Sequence, residues 1–118
     1  MHPYRTLDCA AMSADELSRA VELLARQVGH WSPARWAAPA STANVARGEL
    51  VHHCVQQVAN LAADAEGQPR RSVPRLDNDL ALLDQLRVVT ADLIAADPPP
   101  EAMAAATAEV SATRRAIS

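Results

Sequence analysis

Residues 44–67, NVARGELVHHCVQQVANLAADAEG, place Val51, Cys54, Val55, Val58, Leu61, Ala62 and Ala65 at helical intervals of one, three and four. That spacing gathers the seven side chains on one face of an α-helix over four turns. Gly67 and then Pro69 stop it, because glycine takes the left-handed conformation that ends helices and proline cannot extend one. A helix with one apolar face must be covered by other elements, so the fold class is decided here. The remaining sequence has to supply the cover.

Working outward, Ser13 and Glu16 have the spacing of a capping box and predict a helix over 13–29. Its apolar positions are Leu17, Ala20, Val21, Leu24 and Val28, and Gly29 ends it. Residues 30–43 carry Trp31, Ser32-Pro33, Trp36 and Pro39. Serine caps and proline suits a first helical position, so a short turn is expected there that lays a tryptophan over one end of the bundle. Downstream, 68–75 reads as a solvated loop bearing prolines and Arg70, Arg71 and Arg75. Asp77, Asn78 and Asp79 then crowd the start of a helix over 77–96. Its Leu80, Leu82, Leu83, Leu86, Val89, Leu93 and Ile94 wrap a wide arc, marking it as the most buried helix. Three consecutive prolines break the chain at 98–100. The last helix, 100–117, has Met103, Ala106, Val110, Thr113 and Ile117 in a narrow seam among alanines. No stretch alternates with period two. The reading is an all-α, four-helix up-down-up-down bundle, with helices at 44–66 and the three ranges above forming a single domain over 1–118.

The chain has 118 residues, 49% of them apolar, enough for a packed core without staples. There is no Phe, and only Tyr4, Trp31 and Trp36 are aromatic. All eleven basic residues are Arg, a composition that points to a GC-rich bacterial genome. A net charge of −3 with three aromatics lacks the basic footprint and stacking surfaces of a nucleic-acid binder. No apolar run is long enough to span a membrane and no leader pattern opens the chain, so the expected compartment is the cytoplasm. Cys9 and Cys54 stay reduced there, Cys54 as a small core residue.

The chain lacks the motifs of hydrolases, phosphate loops, metalloproteases and calcium loops. Asp77, Asp79 and Asp84 read as helix-start and surface acids, and Glu22 and Arg26 as a favourable surface pair. Its most suggestive polar cluster is His52-His53, with Glu49 one turn before and Gln56 and Gln57 one turn after. Imidazoles and carboxylates on facing helices are how bundles hold metals, so His53 and His52 are the candidate ligands. Adjacent side chains on a helix point about 100° apart, so at most one serves any one site. His52 lies at the edge of the apolar stripe and His53 nearly opposite it. The other soft donors, His2, Cys9 and His30, have no ligand spacing with these or with one another. Trp31, Trp36 and Glu49 are candidate contacts to a partner or ligand.

The order Trp36-Ala37-Ala38-Pro39, a short loop, then Arg47-Gly48-Glu49-Leu50-Val51-His52-His53 resembles the first half of the DinB-like bundles. It is most similar to the N-terminal domain of mycothiol-dependent maleylpyruvate isomerases, over about residues 13–66. The resemblance implies a four-helix fold. It further implies a divalent metal held by a histidine of the second helix, matching His53 by position, with two histidines of a later helix. No histidine follows His53, so those two have no counterpart here. The expectation is a non-catalytic bundle that acts through protein contacts, with a partner or with a second copy of itself. No cofactor is expected, and neither nucleic acid nor membrane is a partner. The alternative is a metal-dependent, thiol-linked transferase or isomerase of the DinB-like type.

Overall fold

A computed structural model describes the backbone of residues 3–40 and 44–118, and the side chains from residue 13 onward outside 41–43. The tyrosine at position 4, His2 and Cys9 therefore lie outside the described side chains. Among the described residues the chain is all-helical, with four long helices, one short one and no strand.

The first helix, α1 (Pro3–Val28), does not begin at Ser13 but runs through it. A Ser-x-x-Glu pattern caps only where the chain before it turns away, and no breaker stands between residue 3 and Ser13 to enforce that. Leu17, Ala20, Val21, Leu24 and Val28 are all buried, as their spacing requires. Glu22 does not close on Arg26. Its carboxylate accepts two bonds of 3.1 Å from Arg87 on the fourth helix, in an exposed bridge between helices.

Helix α2 (Pro33–Ala37) starts as the sequence indicates, with Ser32 Oγ accepting the Arg35 amide and Pro33 in the first turn. Beyond it, the Ala40 amide bonds Val45 O and the Arg47 amide bonds Ala38 O, forming a small antiparallel bridge. That bridge uses the backbone around residues 44–46, so α3 (Arg47–Glu66) starts three residues later than Asn44. Its end is a Schellman turn. Gly67 sits at φ 69°, its amide bonds Asp64 O, and the Gln68 amide bonds Ala63 O.

Helix α4 (Ala81–Ala95) begins four residues after the expected Asp77. Asp79 is drawn away by Arg75, while Asn78 Oδ1 accepts the Leu80 amide in a turn ahead of the helix. Asp97, at φ 51°, and the prolines after it separate α4 from α5 (Pro100–Ile117). Met103, Ala106, Val110, Thr113 and Ile117 are all buried, so the narrow seam of α5 faces the core.

Helix α3 packs on α4 and α5, α1 packs on α5 and more lightly on α4, and α2 rests on α3. The directions differ from an alternating order. Arg75 joins Glu49, in the first turn of α3, to Asp79 just ahead of α4. Further along both helices, Ala59, Ala62 and Ala63 share a cleft with Val89. Helices α3 and α4 therefore run the same way. The connection between them, residues 67–80, can reach about 46 Å when extended, ample to return along a helix about 30 Å long. The alternating order presupposed short loops, and this strap is not one. Arg47 bonds Ile117 O, so α5 runs against α3; Gln27 bonds Arg114 O, so α1 ends beside the end of α5.

The core is built of leucine, valine and alanine from α1, α3, α4 and α5, closed at one end by both tryptophans. Leu86, fully buried, is expected to lose about 2–5 kcal/mol of stability on substitution by alanine. Val88, 60% exposed two residues on, is expected to lose no more than about 0.5 kcal/mol. Urea denaturation of Leu86→Ala and Val88→Ala checks the pair, and equal losses would contradict this burial.

Candidate functional site

The polar cluster of α3 lies under the strap. His52 Nε2 is 2.9 Å from Val73 O. One turn on, the Gln56 amide grips the strap from both sides: its Oε1 accepts the Val73 amide at 2.7 Å and its Nε2 donates to Arg71 O at 2.9 Å. The same Nε2 also reaches Asn60 Oδ1. The carboxamide thus pairs with the extended backbone much as a neighbouring strand would.

Charged pairs fasten both ends. Asp64 takes a two-point hydrogen bond from Arg70, and Arg75 bridges Glu49 and Asp79 at 2.9 and 2.6 Å. From the far side, Gln85 of α4 donates to Pro74 O. Gly48 makes room for the lower clasp. A Cβ there would stand 2.8 Å from the Arg75 guanidinium and 3.3 Å from the Asp79 carboxylate. Arg70 and Arg75 are therefore clasps of the strap rather than free loop charges.

His53 is exposed on the other side of α3, and the structure does not bring it together with His52. Among the described residues no three His, Cys, Asp or Glu side chains gather in a group that could hold a metal. Cys54 is fully buried against α5, beside Thr113. Burial pushes its thiol up to about 12, with the Thr113 hydrogen bond working the other way. A thiol held protonated in this way is not a nucleophile.

Trp31 and Trp36 are both buried, where the sequence led us to expect one to plug the bundle end. Their rings meet edge to face, 5.4 Å between centroids. The guanidinium groups of Arg35 and Arg47 lie over Trp31 at 4.9 and 5.7 Å from the ring centre.

Between the strap and the helices lies an open cleft of about 460 Å³. Its floor is Ala59, Ala62 and Ala63 of α3 with Val89 of α4, and its outer wall is Pro69, Val73 and Pro74. Arg71 and Glu66 stand at its rim. The cleft is large enough for a small molecule, but it presents no paired acid and base or activated nucleophile.

Spacing alone left out Val73 and Gln85, and it read Asp79 as a helix-start acid where the structure pairs it with Arg75. One signal was present: Glu49, His52, Gln56 and Asn60 recur at three and four, a polar stripe beside the apolar one. No helix is long and apolar enough to cross a membrane among the described residues. Comparison of the chain with known protein families, with curated proteins and with solved structures finds no match.

Two outcomes follow from this geometry. Replacing Gln56 by alanine removes the acceptor of the Val73 amide, so exchange of that amide is expected to quicken by about tenfold, read by NMR. Unchanged exchange would mean the strap is held by other contacts. For Cys54 the folded state keeps its proton from near 9, the ordinary value, up to about 12. The unfolded chain releases it first, so the stability gained from the neutral thiol is full below pH 9 and declines as pH rises toward 12. At pH 8 Cys54 of the native protein is expected to resist alkylation, read by peptide mapping apart from Cys9, and to react once the chain is unfolded in urea; a native Cys54 labelled at the unfolded rate would contradict its burial.

Proposed function

We propose that this protein is a non-catalytic four-helix bundle that works through protein contacts, with itself or with a partner. The observation behind this reading is where the polar residues of α3 are engaged. Glu49, His52 and Gln56, the groups best suited to acid–base or metal chemistry, are tied to the strap. Cys54 is buried and protonated. A side chain fixed to backbone or to a guanidinium is poorly free to move protons or enter a metal's coordination sphere.

A second reading keeps the DinB-like kinship and its metal-dependent, thiol-linked chemistry. What favours it is the element order: a long helix, a tryptophan-bearing turn closing at Pro39, then a helix opening with Arg47 and carrying an exposed His53. In that reading His53 would ligate a divalent metal, with donors outside the described residues.

One purified, untagged sample separates the two. Light scattering after size exclusion is expected to give a mass above the monomer at high micromolar concentration for the self-associating form. Elemental analysis after zinc addition and dialysis is expected to find no stoichiometric metal. A monomer at every concentration would remove self-association and leave a different protein as the partner. Near-stoichiometric zinc, lost in His53→Ala, would overturn the non-catalytic reading in favour of the second.

A further inference from the structure

Because α3 and α4 run the same way, one pole of the molecule gathers their starts together with the ends of α1 and α5. Two helix N-termini and two C-termini offset each other there, so the backbone supplies little net charge to that pole. Arg35, Arg47, Arg114 and Arg115 all stand on its elements. Among the described residues none of the four is ion-paired to an Asp or Glu side chain, nor are Arg19, Arg26 and Arg71, whereas Arg70, Arg75 and Arg87 each are. Arg47 is held in place, its Nε donating to Ile117 O at 2.9 Å while its guanidinium lies over Trp31. Arg35 lies over the same buried ring. Trp31 thus acts as a stiff plate that fixes two of the cations.

A second observation falls on the same pole. Among the described residues five large apolar side chains are left exposed, and three are here: Val45, just ahead of α3, and Leu76 and Leu80, just ahead of α4. Each is more than 40% exposed, on segments whose backbone is fixed by the Ala40–Val45 bond, the Arg75 clasp and the Asn78 turn. Apolar anchors beside unpaired arginines have the composition of a protein interface.

We propose that this pole docks an acidic, amphipathic segment of a partner protein, a conclusion that rests on the protein-contact reading above. The partner's carboxylates pair with Arg35, Arg47, Arg114 and Arg115, and its apolar side chains cover Val45, Leu76 and Leu80. Glu49, Asp77 and Asp79 share the pole with those apolar residues. They oppose an anionic bilayer or a phosphate backbone laid across it, while a peptide's charges can be arranged around them.

The test is fluorescence anisotropy of a labelled 18-residue peptide with glutamates on one helical face and leucines on the other, titrated with the full chain. Binding is expected at micromolar concentration, weakening by about tenfold as salt shortens the screening length. Arg35→Glu combined with Arg115→Glu is expected to weaken it by about tenfold or more. Arg71→Glu, on the strap at the level of Gln56 and away from that pole, is expected to leave it unchanged, with folding of each variant checked by circular dichroism. No binding, equal binding of a peptide with glutamine for every glutamate, equal loss in Arg71→Glu, or tighter binding to phosphatidylserine vesicles would each overturn the proposal. Light scattering on the same protein keeps the two readings apart. Self-association without peptide binding overturns this docking pole and leaves the protein-contact function standing.

Discussion

The arrangement depends on a glutamine. Gln56 offers the strap one acceptor and one donor, spaced as a β-strand neighbour would offer them, and His52 adds a third bond a turn away. Extended backbone laid on a helix has no ladder to satisfy it, and unpaired amides and carbonyls are costly once covered. Side chains of α3 provide that pairing at Arg71 and Val73, and Gln85 of α4 provides it at Pro74. Prolines at 69 and 74 reduce the need, since they bring no amide. A 14-residue connection can thus lie flat along α3 instead of looping into solvent.

From that return path the helix directions follow. Delivered back to the start of α3, the chain enters α4 beside Gly48, where the missing side chain lets Arg75 and Asp79 close up. Small residues then let the helices approach. Ala59, Ala62 and Ala63 face Val89, and Ala106 lies fully buried in α5. The tryptophans supply bulk at one end only, where α2 holds them against α3. The exposed ion pairs add little individually, roughly 0–1 kcal/mol each, and serve mainly to fix register.

Helix existence was legible in the sequence because burial enforces a period of three and four. Leu17 to Val28 and Met103 to Ile117 are buried as their spacing requires, as are Val51, Cys54, Val55, Val58 and Ala62, while Leu61 is half-buried and Leu80, ahead of α4, is 43% exposed. Helix starts were less legible. Ser13 and Asp77 carry capping chemistry, yet a capping side chain acts only where the chain turns, and tertiary contacts decide that. Asp79 serves Arg75 instead of an N-terminus. Chain direction was the largest miss, because a loop rich in arginine and proline looks solvated unless its partners are known. The stripe Glu49, His52, Gln56, Asn60 held the clue. Polar residues at helical spacing, three of them half-buried, imply something polar lying along that face, and here it is backbone for His52 and Gln56 and a guanidinium for Glu49.

The cluster that first suggested metal chemistry therefore has a physical account in which it holds the fold, while Val45, Leu76 and Leu80 stand exposed at one pole on the same elements as Arg35, Arg47, Arg114 and Arg115. Its most direct test is the direction of α4, read from methyl–methyl nuclear Overhauser contacts in solution. The account predicts cross-peaks from the Val89 methyls to Ala59 and Ala62, which share the cleft. Cross-peaks from Val89 to Leu50 and Val51, with none to Ala59 or Ala62, would mean that α4 runs against α3 and would contradict it.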